Sequence, residues 1–346
     1  MTDNQKVTKE MLDQWVDKDG PVALHMRQKL LPIEGEGAVV FPPTYAINDK
    51  YVIDRLSDGT QVAQMDSVGS QANRMEPLFK ERYPELVPQI EIQLENGRTV
   101  SILDAGHRLG DALIRSTRDL AERAREAFDA FDLDGDAEPM ARLAPTSLVF
   151  GAWDSRGGQA KLPRLVNAVI RAWDVDVVRR AATYIPPVDY AELEVFDEKE
   201  KEKAEGNPKN PLAQRGFVHN PAEDVGGIVV RGGIYRDVTV NFVALRNLKS
   251  GDATETLRRY ILGLTLVAAT DPQDGFLRQG CLLTPDPDQP GEWHQVNRNG
   301  SRNPLSLDLE TAVEFARKAA QDFGVGEGGL FEFDKKLAKQ DVKKDK

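Results

Sequence analysis

Val238, Val240 and Phe242 alternate with Asp237, Thr239 and Asn241, and this two-residue period constrains the fold more than any other feature of the chain. Successive side chains of a strand point to opposite faces, so the pattern predicts a strand with one buried face. Asp252 or Thr254 can cap a helix beyond it, with Leu257, Ile261, Leu264 and Ala268 on one side. Gly275 to Leu283 then supplies another strand. Strand, helix and strand after an earlier strand–helix unit predict an α+β chain with a ferredoxin-like βαββαβ sheet. A last amphipathic helix spans Leu309 to Phe323 and stops at Gly324, and the lysine-rich end after Asp334 is expected to fray.

Upstream, Thr8 to Asp17 reads as a helix stopped by Gly20-Pro21, and Ala38 to Phe41 as a short strand broken by Pro42-Pro43. Ile90 to Leu94 alternates as a strand. Asn96-Gly97 then makes the strongest short hairpin signal, since both residues tolerate positive φ, with the return through Thr99 to Leu103. Leu113 to Phe131 is helical in pattern and Leu165 to Val175 strand-like. Pro186-Pro187, the charge run Glu192 to Lys203 and the Gly206 to Pro211 stretch mark a protruding excursion, the charge run being read as a solvated helix face.

Composition narrows the function. One cysteine, Cys281, excludes an internal disulfide framework and a multi-cysteine zinc site. No apolar run is long enough to cross a bilayer, and the first residues lack a signal peptide's pattern, so the expectation is a cytoplasmic protein with no membrane partner. The formal charge of −11 argues against nucleic acid, but its distribution is uneven. Asp189 to Glu205 carries eight acids against three bases, whereas Met140 to Tyr184 carries seven bases against three acids. Recognition depends on the local face.

Two segments could hold phosphate. Met65 to Glu76 packs Ser67, Ser70, Gln71, Asn73 and Arg74 around Gly69 at a helix start, equally readable as a plain cap. Trp153 to Arg164 offers Arg156, Lys161 and Arg164 beside two glycines, equally readable as a basic surface loop. Arg236 lies on a strand fed by a glycine-rich turn. Neither a catalytic motif nor a cofactor fingerprint is present, and no cofactor or metal is expected. Asp132 to Asp136 fails as an EF-hand because Ala130 and Ala141 occupy the first and last ligand positions. His25, His107, His219 and His294 are scattered; His107, near Asp104 and Asp111, is a candidate acid–base group.

Phe41 to Tyr45, Asp66 to Pro77, Leu103 to Arg108, Ser147 to Gly151 with Trp153 to Arg156, and Leu277 to Cys281 together resemble the CRISPR-associated backbone subunit of type I-U (also called I-G) systems. This is a RAMP-superfamily protein of the Cas-seven branch. The resemblance implies an RNA-recognition-like palm (21–182 and 224–330), a thumb inserted at 183–223, helical insertions and a charged tail at 331–346. It further implies a non-catalytic subunit that stacks head to tail with its own copies along CRISPR RNA. The guide would be presented to a target DNA strand, with a large subunit and Cas-five- or Cas-six-like subunits as further partners. Ser67, Ser70, Gln71, Asn73, Arg74, Arg156, Lys161, Arg164 and Arg236 would then line one groove and grip backbone rather than bases. Two alternatives stay open. One is a metal-independent ribonuclease using His107 or His25, with metal-dependent cleavage at Asp66 as a weaker variant; the other is a scaffold without RNA contact.

Overall fold

The computed structural model describes residues 5–45, 50–156 and 160–344. Among these, the fold is α+β, and its main sheet is organised by the strand Ala23–Pro32. Leu24, Met26 and Leu30 face inward from it, while His25, Arg27 and Lys29 face out. The Ile234–Asn241 strand runs antiparallel along one side, with Val238 opposite Met26. Its far side takes Val166–Trp173, then Gln61–Asp66 and Ile53–Arg55. The other side of the central strand takes Cys281–Pro285 and Glu292–Val296 end to end, and Arg302–Ser306 extends the sheet beyond them.

One face of this sheet is covered by helices. Thr254–Thr270 is buried over most of its circumference, and it packs along Leu309–Phe323. Gly263 is required at their crossing, because a Cβ there would lie 2.7 Å from the Ala316 Cα. Tyr260 stacks on Phe323 at 5.0 Å and donates to the Leu86 carbonyl at 2.8 Å. A buried tyrosine needs such an acceptor, since an unmade bond there costs about 1–3 kcal/mol.

Several expectations meet the structure directly. Lys9–Val16 is a helix with Thr8 as its cap, Ile90–Gln93 and Thr99–Ser101 pair across Gly97 at φ +80°, and Leu309–Phe323 ends at Gly324. Others change. Neither expected residue caps the Thr254–Thr270 helix: its cap is Ala253, and the Thr254 hydroxyl instead accepts from the Ser250 amide and donates to the Gly251 carbonyl. The expected strand Gly275 to Leu283 is a hairpin, Phe276–Arg278 returning as Cys281–Pro285 across Gly280 at φ +81°. The helical run after Leu113 breaks at Ser116 before resuming as Arg118–Asp134. The end expected to fray after Asp334 is instead the helix Lys335–Lys344, and it follows a strand not foreseen, Gly329–Glu332, parallel to Ile90–Gln93.

The excursion is longer than its composition suggests. Asp174, at φ +51°, turns the chain out of the main sheet, and Val175–Tyr184 pairs antiparallel with Asn220–Val230 as an arm to whose base Val39–Val40 adds a third strand. Residues 183–223 form only its outer part. At the tip, Ala204, Ala213 and Val218 make a small core with Phe196 and Leu212 packed against it. Of the charge run, only Glu198–Ala204 is helical, closed by a capping box between Asp197 and Glu200.

Candidate nucleic-acid interface

The two donor-rich segments lie close together, but only the second lines the cleft between them and the Gly106–Ala112 turn. The strand Gln61–Asp66 leads into Ser67, whose Oγ accepts from the Ser70 amide at 3.2 Å and so caps the helix Val68–Met75. The second loop lies across from this helix start. A Cβ added at Gly69 would sit 3.9 Å from Arg164 Nη2, and Asn73 Oδ1 accepts from Arg108 Nη2 at 3.4 Å. About 720 Å³ of open space lies along Arg108, Trp153, Arg156, Lys161 and Arg164.

The first segment is largely spent inward. Gln71 is 1% exposed; its Nε2 donates to Asp66 Oδ2 at 2.6 Å, and its Oε1 accepts from Arg236 Nε at 3.0 Å. Arg236 is itself 5% exposed, and burial draws its pKa down to about 10. Gln71 and Arg236 therefore do not face the cleft as the sequence suggested. Arg74 is also redirected. Its Nε meets Asp66 Oδ2 at 3.0 Å, while Nη1 and Nη2 donate to the Phe276 and Leu277 carbonyls, each at 3.1 Å. This guanidinium pins the helix to the Phe276–Pro285 hairpin. Ser67 serves as a cap, Ser70 is half-buried on the first turn, and Asn73 is exposed.

The second segment keeps its cations at the cleft. Bonds from the Asp154 amide to the Ala160 carbonyl and from the Leu162 amide to the Ala152 carbonyl close the loop into a narrow ladder. The buried Asp154 carboxylate pairs with Arg115 at 2.8 Å and anchors it. Residues 157–159, which include Gly157 and Gly158, lie outside the described part. Lys161 is exposed, with Nζ 5.3 Å from the centre of the Trp153 ring. Arg156 donates to the Gly110 carbonyl at 3.1 Å and to Asp341 of the C-terminal helix at 2.6 Å. The Arg164 Nε is buried and has no hydrogen-bond partner among the described residues.

Arg108, which sequence reasoning missed, completes the cluster. Its backbone stands at φ +52°, a conformation that costs an L-residue roughly 1–3 kcal/mol and persists only where its surroundings impose it. Here Nη1 donates to the Gly151 carbonyl at 3.2 Å, Nε lies 2.8 Å from Glu76, and the guanidinium covers the Phe150 ring at 5.2 Å. Burial lowers the Arg108 pKa, and Arg164 lowers it further against the pull of Glu76. Burial likewise pushes the Glu76 carboxyl up to about 7, outweighing the neighbouring guanidinium. The only available signal was the Gly106-His107-Arg108 turn within a matching block. Nothing in its spacing announces a contact with Gly151.

The acid–base candidates separate. His107 lines the cleft with its side chain 86% exposed and Nδ1 3.8 Å from Asp111. His25 lies on the uncovered sheet face, 3.3 Å from Asp237 and bonded to Arg302 at 2.7 Å. Burial, with help from Arg302, lowers its pKa. The register His25–Thr239–Asn167 links that face to the cleft, because Asn167 lines both. Asp66 is 1% exposed and committed to Gln71 and Arg74. Among the described residues, no three His, Cys, Asp or Glu side chains gather as a metal set, and no helix is long and apolar enough to cross a membrane.

Comparison with known proteins bears on the same region. Residues 24–177, which contain the central strand, the helix start and both walls of the cleft, match the sequence model of the family described as CRISPR-associated protein GSU0053. No curated protein matches the chain. A chain of a solved "CRISPR RNA-guided surveillance complex, pre-nicking" is similar at 12% identity and a TM-score of 0.33, covering 92% of this chain and 98% of that one. A likeness that loose carries no argument. Over residues 24–177, a little under half of its length, this chain is similar to that CRISPR-associated family.

Proposed function

We propose that the chain is a non-catalytic backbone subunit of a type I surveillance (Cascade-like) complex, of the I-U or I-G kind, that holds CRISPR RNA by its phosphates. One observation carries this reading. The cleft gathers Arg156, Lys161 and Arg164 beside the buried Arg108, and the Arg164 Nε has no partner among the described residues. A buried guanidinium nitrogen without an acceptor is costly, and a phosphate oxygen is the acceptor that Arg geometry suits best. Contacts to phosphate carry no sequence information, as a protein that holds any guide requires.

The remaining parts take roles within this reading. The strands Ala23–Pro32, Val166–Trp173, Ile234–Asn241 and Cys281–Pro285, with the helices Val68–Met75 and Thr254–Thr270, form the ferredoxin-like palm. Their spatial order, fourth–first–third–second, supports it. The arm from Val175 to Val230 is the thumb, projecting toward the next copy in a head-to-tail stack that would also meet the large and Cas-five- or Cas-six-like subunits. Ser70, Asn73, Arg156, Lys161 and Arg164 touch the backbone; Ser67, Gln71, Arg74 and Arg236 position the helix that borders it.

Co-expression with a CRISPR array tests the proposal: spacer-containing RNA should copurify, and its retention should fall steeply with salt. Protein free of RNA would leave only the scaffold reading. The exposed His107 in the cleft favours one alternative, a metal-independent ribonuclease. Cleavage of repeat RNA in chelator that vanishes on His107→Ala would replace the non-catalytic reading.

A further inference from the structure

Trp153 is held in an unusual position. Tryptophan is among the most buried residue types on average, yet this residue is 53% exposed at the cleft. Its exposure is not that of a loose loop. The Trp153 backbone bridges to Lys161, and its two neighbours, Ala152 and Asp154, are bonded to Leu162 and Ala160. Beneath it, the Trp153 carbonyl comes so close to Gly110 that a Cβ there would lie 2.3 Å away. The buried Asp154–Arg115 pair fixes the adjoining residue. An apolar ring is thus presented to solvent on a rigid support, ringed by Arg156, Lys161 and Arg164.

A rigid exposed indole among cations suits a planar π-system bearing negative charge. From this we infer that Trp153 is a stacking platform for one nucleobase of the single strand held in the cleft, with Lys161 meeting that nucleotide's phosphate. The ammonium lies over one face of the ring, 5.3 Å from its centre, so a base that takes its place there brings its phosphate to the displaced ammonium. Stacking accepts any base, because every base has a π-face, so the contact adds affinity without reading sequence. This inference rests on the cleft being a nucleic-acid site.

Binding of a mixed-sequence single-stranded oligoribonucleotide to the full chain separates the two ideas. Trp153→Ala should weaken binding by about ten- to a hundredfold while leaving the slope of log K against log salt unchanged, because no phosphate contact is lost. Trp153→Phe should restore most of the affinity, which also controls for misfolding. An oligonucleotide of abasic sugars should bind wild type and Trp153→Ala alike. Equal affinity of wild type and Trp153→Ala for the ordinary strand, with Lys161→Ala still weakening it, overturns the platform but not the cleft. Absence of wild-type binding overturns both.

Discussion

The helix start at Ser67–Arg74 and the loop Trp153–Arg164 carry the same kinds of donor, yet the fold uses them in opposite ways. Gln71 and Arg74 are consumed by Asp66, Arg236 and two backbone carbonyls. Lys161 lies over the Trp153 ring, and the Arg164 Nε has no hydrogen-bond partner among the described residues; both side chains border an open cleft. The difference lies in what surrounds each group. A guanidinium under the sheet must find partners within the protein, because a buried unpaired charge is prohibitive. One at a solvent-filled cleft can wait for a ligand. Donor chemistry alone does not distinguish a clamp from a binding site.

The largest expected effect tests the inward half. Arg236→Ala should lower unfolding free energy by about 3 kcal/mol in urea titration, since it strips Gln71 of a partner and leaves buried carboxylates less compensated. A loss under about 1 kcal/mol would break the contrast. Arg74→Ala should cost about 1–2 kcal/mol by the same measurement while leaving the salt slope of RNA binding intact. A flatter slope in that variant would return Arg74 to the cleft.

The outward half predicts the converse. Lys161→Ala combined with Arg164→Ala should change stability by less than about 1 kcal/mol and flatten the salt slope by roughly 0.7 per lost phosphate contact. The weakening should be equal for two unrelated spacers; a spacer-selective defect would contradict backbone recognition.

Glu76 joins the two halves through Arg108, and its prediction concerns pH. Its carboxyl is raised to about 7 in the folded chain against an ordinary value of 4.5. Between those values the folded state binds more protons than the unfolded one, so this group's contribution to stability falls as pH rises from about 4.5 to about 7. Glu76→Gln should remove that fall, measured as the difference between the two proteins' unfolding curves across the window. The smallest effect concerns Arg156, whose guanidinium meets Asp341 at 2.6 Å with both side chains about a quarter exposed. Such a pair is worth about 0–1 kcal/mol, so Asp341→Asn should tighten RNA binding by at most about fivefold. Weaker binding would show that the C-terminal helix helps hold the strand.

What the sequence determined by itself was local. The helix Lys9–Val16, the Asn96-Gly97 turn with Gly97 at φ +80°, and Leu309–Phe323 ending at Gly324 were all legible, because turns and helical periods are set within a few residues. The two donor segments were legible as chemistry for the same reason. Tertiary structure decided the rest. Ala23–Pro32 passed unnoticed as the organising strand because Gln28 interrupts the apolar row of Leu24, Met26 and Leu30, and its central place exists only once Ile234–Asn241 and Glu292–Val296 pair beside it. Arg108 entered the cleft, and Gln71 and Arg236 left it, through contacts between residues 35 to 165 positions apart. Burial and partner choice are properties of packing between distant segments, and no local pattern encodes them.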